Sequence, residues 1–243
     1  MMTFAGMMPK RGHDAADCED HFSTSVHRFA VADGASDSGY SQVWARMLAD
    51  SFCGLPSAAA TPAELDDWLA SCRDEWRRWA AERAVGQLPW FARETLRTGA
   101  FATFVGIAFS PDEDGAAAWH AVACGDACIF LVRDDALAAA FPIDAPDAFD
   151  DPPPLVPTAA RLTSYALQTT TGTAEVGDSF YLVTDALACW FLASIERGDK
   201  PWARFNDVRT PADLEALVSS ARDARALKND DVTLMTVVIV GDA

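Results

Sequence analysis

Short apolar runs rich in Val, Phe, Ile or Thr punctuate this chain: Phe29–Ala32, Ala100–Phe109, Ala117–Cys124, Cys128–Arg133, Ser179–Thr184 and Val232–Val240. Side chains of these types fit a pleated, half-buried surface, so each run is predicted to be a strand. Turn residues bound them at Asp33-Gly34, Asp112 to Gly115, Gly125-Asp126, Asp134-Asp135 and Gly177-Asp178. Tight turns between residues 100 and 133 predict antiparallel meanders. Helical patterns come before and after these strands, without strict βαβ alternation. The expectation is an α+β fold in which packed sheets are covered by helices. Half of the 243 residues are hydrophobic and 23% are charged, which suits a globular chain with a substantial core.

Two helix starts share one local chemistry. Thr61-Pro62-Ala63-Glu64 and Thr210-Pro211-Ala212-Asp213 each place a capping hydroxyl before a proline, with an acid in the first turn. Glu64 completes a capping box with Thr61. Leu65, Trp68, Leu69, Cys72, Trp76 and Trp79 then recur at helical spacing, predicting a helix over 62–84. The tryptophan stripe reads as core packing rather than an aromatic binding box. An earlier helix over about 40–53 shows Val43, Met47, Leu48 and Phe52 on one face. Residues 141–158 carry Pro142, Pro146, Pro152, Pro153, Pro154 and Pro157. Prolines and acids exclude a central strand or helix there, so a long surface loop within a single domain spanning 1–243 is expected.

Charge narrows the partners. The 36 acids outnumber 19 Lys+Arg, leaving a net −17. Such a surface repels nucleic-acid backbones and anionic membranes, and neither is an expected partner. It also repels a phosphorylated substrate unless bound cations reverse the sign locally. Met1–Met8 is mildly apolar but lacks a basic flank, so it is not read as a signal peptide. The cysteines (18, 53, 72, 124, 128 and 189) show no zinc-type spacing, and most sit in apolar runs. Reduced structural thiols in a cytoplasmic protein are the expectation, with a disulfide framework the minor alternative.

Acids stand where strands stop. Glu19-Asp20 precedes a strand over 22–25, Asp33-Gly34 ends another, Asp185 follows Phe180–Thr184, and Asp230-Asp231 opens Val232–Val240. If these strands are neighbours, their ends bring several carboxylates to one edge. Converging carboxylates raise each other's pKa and call for cations. An all-oxygen set suits Mg²⁺ or Mn²⁺ rather than zinc. Two such ions, about 3.5–4 Å apart, can acidify a bridging water for attack on phosphorus. The residues alone leave a plainer alternative open, because Asp-Gly is a common turn and acids abound here.

Order and context add a resemblance. The chain resembles the type-2C metal-dependent protein phosphatases along nearly its whole length. Cys18-Glu19-Asp20 is similar to that family's amino-terminal acidic element, and Phe29-Ala30-Val31-Ala32-Asp33-Gly34 to its Asp-Gly strand. Gly99 to Ala108 resembles the Gly-x-Thr-rich strand, and Cys124-Gly125-Asp126-Ala127 the Gly-Asp-Ser turn. Tyr181-Leu182-Val183-Thr184-Asp185-Ala186 resembles the Thr-Asp-Gly element, and Asp230-Asp231-Val232-Thr233 the closing Asp-Asn-x-Thr.

The resemblance implies a sandwich of two antiparallel β-sheets flanked by α-helices on both sides. It implies phosphoserine or phosphothreonine hydrolysis by metal-activated water. Asp33 would bridge two Mg²⁺ or Mn²⁺ ions, Glu19 and the Gly34 carbonyl would serve one, and Asp185 and Asp230 the other. Asp126 would help hold a weaker third ion, while Asp20 and Asp231 would support the ligands from behind.

The departures are specific. Ala15 stands where the family usually has a phosphate-gripping arginine, and Gly12-His13 resembles a bacterial branch with a Gly-x-x-His-type opening. His13 is therefore the candidate phosphate contact or proton donor, with Arg11 a second candidate for the anion. Ala186 replaces a glycine and reads as the first turn of a helix for which Asp185 could be the cap. Ser36 and Asp37 replace glycines, which stiffens that loop. Three readings follow: a metal-dependent phosphoprotein phosphatase, a catalytically weak relative that binds phosphoproteins, and a hydrolase of small phosphate esters. Phe141 to Gly177 and the helices around Trp76 to Trp90 are the expected substrate selectors. Oligomeric state has no signal in the sequence.

Overall fold

A computed structural model describes residues 1–56, 61–84, 96, 98–111, 117–160 and 165–241. The expected turn at Asp112–Gly115 and the candidate selector Trp90 lie outside the described residues. Two antiparallel sheets form the centre. One runs β1 (Met2–Met8), β11 (Val232–Val238), β10 (Ser179–Val183), β6 (Cys128–Arg133), β7 (Ala136–Phe141) across its width. The other runs β2 (Asp20–Thr24), β3 (Arg28–Gly34), β4 (Phe101–Pro111), β5 (Ala117–Cys124), β9 (Gln168–Ala174), with the two-residue β8 (Val156–Pro157) on β4. The expected α+β sandwich is the observed one.

Alternation along each strand explains why these runs are apolar throughout. Successive side chains face opposite sides of a sheet. On β3, Phe29 and Val31 enter the core between the sheets, while Ala30 and Ala32 face the helical layer. On β10, Phe180 and Leu182 point between the sheets, and Tyr181 and Val183 point outward into the second helical layer. Both faces of the central strands are dry, so little polar alternation survives in the sequence.

Helices α1 (Ser41–Cys53) and α2 (Pro62–Ala84) cover the β3–β4 side. Trp44, Met47, Leu48 and Phe52 of α1 meet Leu65, Trp68, Leu69, Cys72 and Trp76 of α2 in one buried cluster, so the tryptophan stripe is core. The Thr61 capping box forms, with Thr61 N donating to Glu64 Oε2 at 2.7 Å and Glu64 N to Thr61 Oγ1 at 3.3 Å. Helices α3 (Asp185–Glu196), α4 (Pro201–Asn206) and α5 (Pro211–Asp223) cover the other sheet. None of the described helices is long and apolar enough to cross a membrane. All six cysteines are free thiols, and all but Cys189 are buried.

Several strands escaped the sequence reading. Met2–Met8 pairs with β11 along its whole length, although its methionines signal no strand. Ala136–Phe141 is alanine-rich and Gln168–Ala174 is largely polar, so neither shows the expected apolar β signature. The proline-rich stretch is pinned rather than merely superficial: Val156 is fully buried, and Trp44 Nε1 donates to its carbonyl at 2.8 Å.

Trp44 therefore joins helix, sheet and loop. Trp44→Ala should cost about 4 kcal/mol of stability in a urea titration, whereas Val26→Ala at a 76%-exposed position should stay within about 0.5 kcal/mol.

Candidate active site

The acids singled out in the sequence meet at one edge of the sandwich. Asp20 and Asp33 are cross-strand partners on β2 and β3. Asp185 opens α3 directly after β10, and Asp230 precedes β11, the neighbour of β10. Asp126 lies in the turn between β5 and β6, which carries the chain from one sheet to the other. Gly125 takes φ +100° there, and a Cβ would lie 2.6 Å from the Thr103 side chain, so only glycine lets the turn press against β4.

Electrostatics shows how close this gathering is. Burial raises the Asp33 carboxyl well above the usual range, and the charges of Asp20, Asp185, Asp126 and Asp230 push the same way. Burial likewise pushes Asp126 up to about 7, helped by Asp185 and Asp230 and opposed by Lys228. Asp20 is pushed up to about 8, chiefly by burial, although hydrogen bonds from Thr233 and Thr184 favour its charged form. Asp185 is raised by burial too, with Lys228 resisting and Asp230 reinforcing the shift.

Different devices hold the individual acids. Asp20 Oδ2 accepts from Thr233 Oγ1 at 2.8 Å and Thr184 Oγ1 at 3.0 Å, tying β2 of one sheet to β10 and β11 of the other. Asp231 is buried and accepts from two backbone amides, Lys10 N at 2.7 Å and Glu19 N at 2.8 Å. It thus clamps the chain before and after the 10–19 segment to the start of β11. Both acids are thus held by hydrogen bonds that join distant strand ends at this edge. Glu19 accepts from Ser41 Oγ at 2.6 Å, from Lys10 Nζ at 3.4 Å, and from Ser36 Oγ. Ser41 reaches it because α1 begins against Gly34, where a Cβ would fall 2.7 Å from the Ser41 backbone carbon.

Asp185 is not the cap of its helix, as its position had suggested. Thr184 holds the cap position with extended backbone, Asp185 is the first helical residue, and its Oδ1 accepts from Ala186 N at 2.6 Å. Ala186 accordingly sits in ordinary helical backbone and costs nothing where a glycine was expected.

The opening segment behaves differently. His13 is half-exposed and stands 3.9 Å from Asp17. Arg11 turns its guanidinium to the end of α5, donating to Asp223 Oδ1 at 2.6 Å and to the Ser219 carbonyl at 3.2 Å. Neither is drawn into the carboxylate cluster by these contacts. Sequence reading missed Lys228, which reaches Asp230 at 2.7 Å and Asp185 at 3.3 Å. It also missed Arg222, buried, which donates to the Asp230 carbonyl and to the Pro9 carbonyl at 3.2 Å. A basic residue two positions before the acid pair was the available signal for Lys228.

The donor set fits a hard divalent cation. Every candidate ligand is an oxygen, and the buried Oδ1 atoms of Asp20 and Asp126 have no hydrogen-bond partner among the described residues. Among the described residues, no three His, Cys, Asp or Glu side chains are drawn together tightly enough to cradle an ion as they stand. The acids feel each other's charge, while Ser36, Ser41 and Lys10 occupy Glu19 and Lys228 bridges Asp185 and Asp230.

Solved structures similar to this chain share its architecture. The Mycobacterium tuberculosis serine/threonine phosphatase PstP/Ppp aligns with a TM-score of 0.68 and 18% identity, over 99% of both chains. The PstP catalytic domain in complex with two manganese ions gives 0.65 and 18% identity, over 98% of this chain and 99% of that one. Stp1 of Staphylococcus aureus, a serine/threonine phosphatase, gives 0.66 at 12% identity, over 98% and 95%. At such identities the likeness establishes a fold common to bacterial type-2C phosphatases. No family model matches the sequence, and no curated protein matches it.

The pKa shifts set a sign for pH dependence without metal. The folded chain retains protons on Asp126 up to about 7 and on Asp20 up to about 8, over a range where the unfolded chain has released them. Stability should therefore fall as pH rises through that window. Thermal scans in chelator between about pH 6 and about pH 8.5 should show this decline, and Asp126→Asn should flatten it.

Proposed function

We propose that this protein is a metal-dependent phosphoprotein phosphatase acting on phosphoserine or phosphothreonine. The carrying observation is the convergence of Asp126, Asp185 and Asp230 with Asp33 at one sheet edge, where each of the three bears on the ionisation of Asp33. The shared architecture with bacterial serine/threonine phosphatases supports the same reading.

Asp33 would bind both of two Mg²⁺ or Mn²⁺ ions, Glu19 and the Gly34 carbonyl one, Asp185 and Asp230 the other, with Asp126 beside a weaker third. When bound, these ions supply an acidified water and a positive field that admits a phosphate into an acidic cleft. The chain's own part is orientation. Asp20, through its two threonines, and Asp231, through its two backbone amides, fix the strand ends from which the ligands project. His13 would hand a proton to the departing serine or threonine oxygen, and Arg11 would have to leave Asp223 to reach the phosphate.

The net −17 charge argues against nucleic acid or an anionic membrane as the partner. A second reading, a catalytically weak relative that binds phosphoproteins, draws on Lys228 and on the serines and lysine that hold Glu19.

Asp33→Asn should lower phosphate release from a phosphopeptide in Mn²⁺ at least about a hundredfold, near 2.7 kcal/mol of barrier. Unchanged turnover in that variant, or full activity of the parent in excess chelator, removes the metal from the chemistry, whereas no phosphate release from the parent in Mn²⁺ favours the binding-only reading. His13→Ala should slow phosphopeptide hydrolysis about a hundredfold yet spare p-nitrophenyl phosphate, whose leaving group needs no proton. Equal losses on both substrates would remove His13 as the proton donor.

A further inference from the structure

A cation of the chain's own stands where two acids of the cluster meet. Lys228 Nζ lies 2.7 Å from Asp230 Oδ2 and 3.3 Å from Asp185 Oδ2, so one ammonium spans a carboxylate from α3 and another from the approach to β11. The base of this lysine is anchored. Asp230 N donates to the Lys228 carbonyl at 3.1 Å, and buried Arg222 donates to the Asp230 carbonyl. Its side chain is 66% exposed, against 17% and 30% for Asp185 and Asp230. A fixed backbone with an exposed, flexible stem makes the head group mobile while the acids stay put.

We infer that Lys228 is a tethered competitor for the second divalent ion. Its ammonium neutralises Asp185 and Asp230 when no metal is bound, and it swings into solvent when a cation takes the same oxygens. The two carboxylate oxygens cannot serve both charges at hydrogen-bonding distance. The tether keeps the ammonium at high effective concentration, so the divalent ion works against a standing occupant. The other ion's acid faces a more distant charged competitor: Lys10 meets Glu19 at 3.4 Å, and the remaining side-chain donors to Glu19 are the neutral hydroxyls of Ser36 and Ser41. The two cation positions are therefore unequal, and Lys228 sets the concentration at which the second one fills. This inference rests on the reading of these carboxylates as cation ligands.

Calorimetric titration of metal-free protein with MnCl₂ separates the two ideas. The parent should show a tighter and a weaker event; Lys228→Gln should strengthen the weaker one about tenfold or more, and Lys228→Arg should leave it weak. In thermal scans with chelator, Lys228→Gln should melt below the parent and gain more on adding Mn²⁺, because its two acids then face each other uncompensated. A second event of unchanged or lower affinity in Lys228→Gln overturns the inference and leaves the metal site standing. Absence of Mn²⁺ binding in the parent and both variants defeats the metal reading, and the inference with it.

Discussion

Desolvated carboxylates at the edge of a dry sandwich are the constraint on which this structure turns. The two sheets pack apolar faces up to the ends of β2, β3, β10 and β11, and the acids at those ends lose water with them. A carboxylate taken from water has few acceptable fates: it is protonated, hydrogen-bonded, or balanced by a cation. The chain uses all of them. Asp20 is bonded by threonine hydroxyls and Asp231 by backbone amides. Asp185 and Asp230 share an ammonium. Asp33, buried beside Asp20, Asp185, Asp126 and Asp230, has its charged form disfavoured.

The supporting acids do structural work that defines the cluster. Asp20 links strands of different sheets, so the spacing between sheets at this edge depends on its two hydrogen bonds. Asp231 gathers Lys10 and Glu19 from either end of the opening loop. Arg222 adds a third tie, from α5 to the Pro9 and Asp230 carbonyls. Candidate ligands thus project from a frame that is over-determined, the arrangement catalysis by positioned charge requires. A fold shared with phosphatases does not by itself confer their chemistry, which depends on these side chains.

Much of this was legible in order along the chain. The strands ending at Asp33 and Asp185, and the one opening after Asp230, are apolar runs stopped by acids, so strand neighbourhood alone brings those acids to one edge. Polar or alanine-rich strands such as Gln168–Ala174 and Ala136–Phe141 were not legible, because they lie toward the sheet margins where composition is weakly constrained. The opening segment misled for another reason. Arg11 and His13 stand near Glu19 in sequence, yet Arg11 is bound by Asp223, which no local pattern relates to it.

The sequence by itself determined the strand and helix punctuation, the α+β class, the identity of the acids and the charge imbalance. These follow from short-range periodicity, capping chemistry and side-chain charge, which the order of residues carries directly. Tertiary structure alone decided which charges answer which: Lys228 to Asp185 and Asp230, Asp231 to the amides of Lys10 and Glu19, Asp20 to Thr184 and Thr233. Several of these partners lie more than a hundred residues apart, as with Asp20 and Thr233, separated by 213 positions. Their meeting depends on the closure of two sheets on one core, a cooperative property of the folded chain that no local window contains.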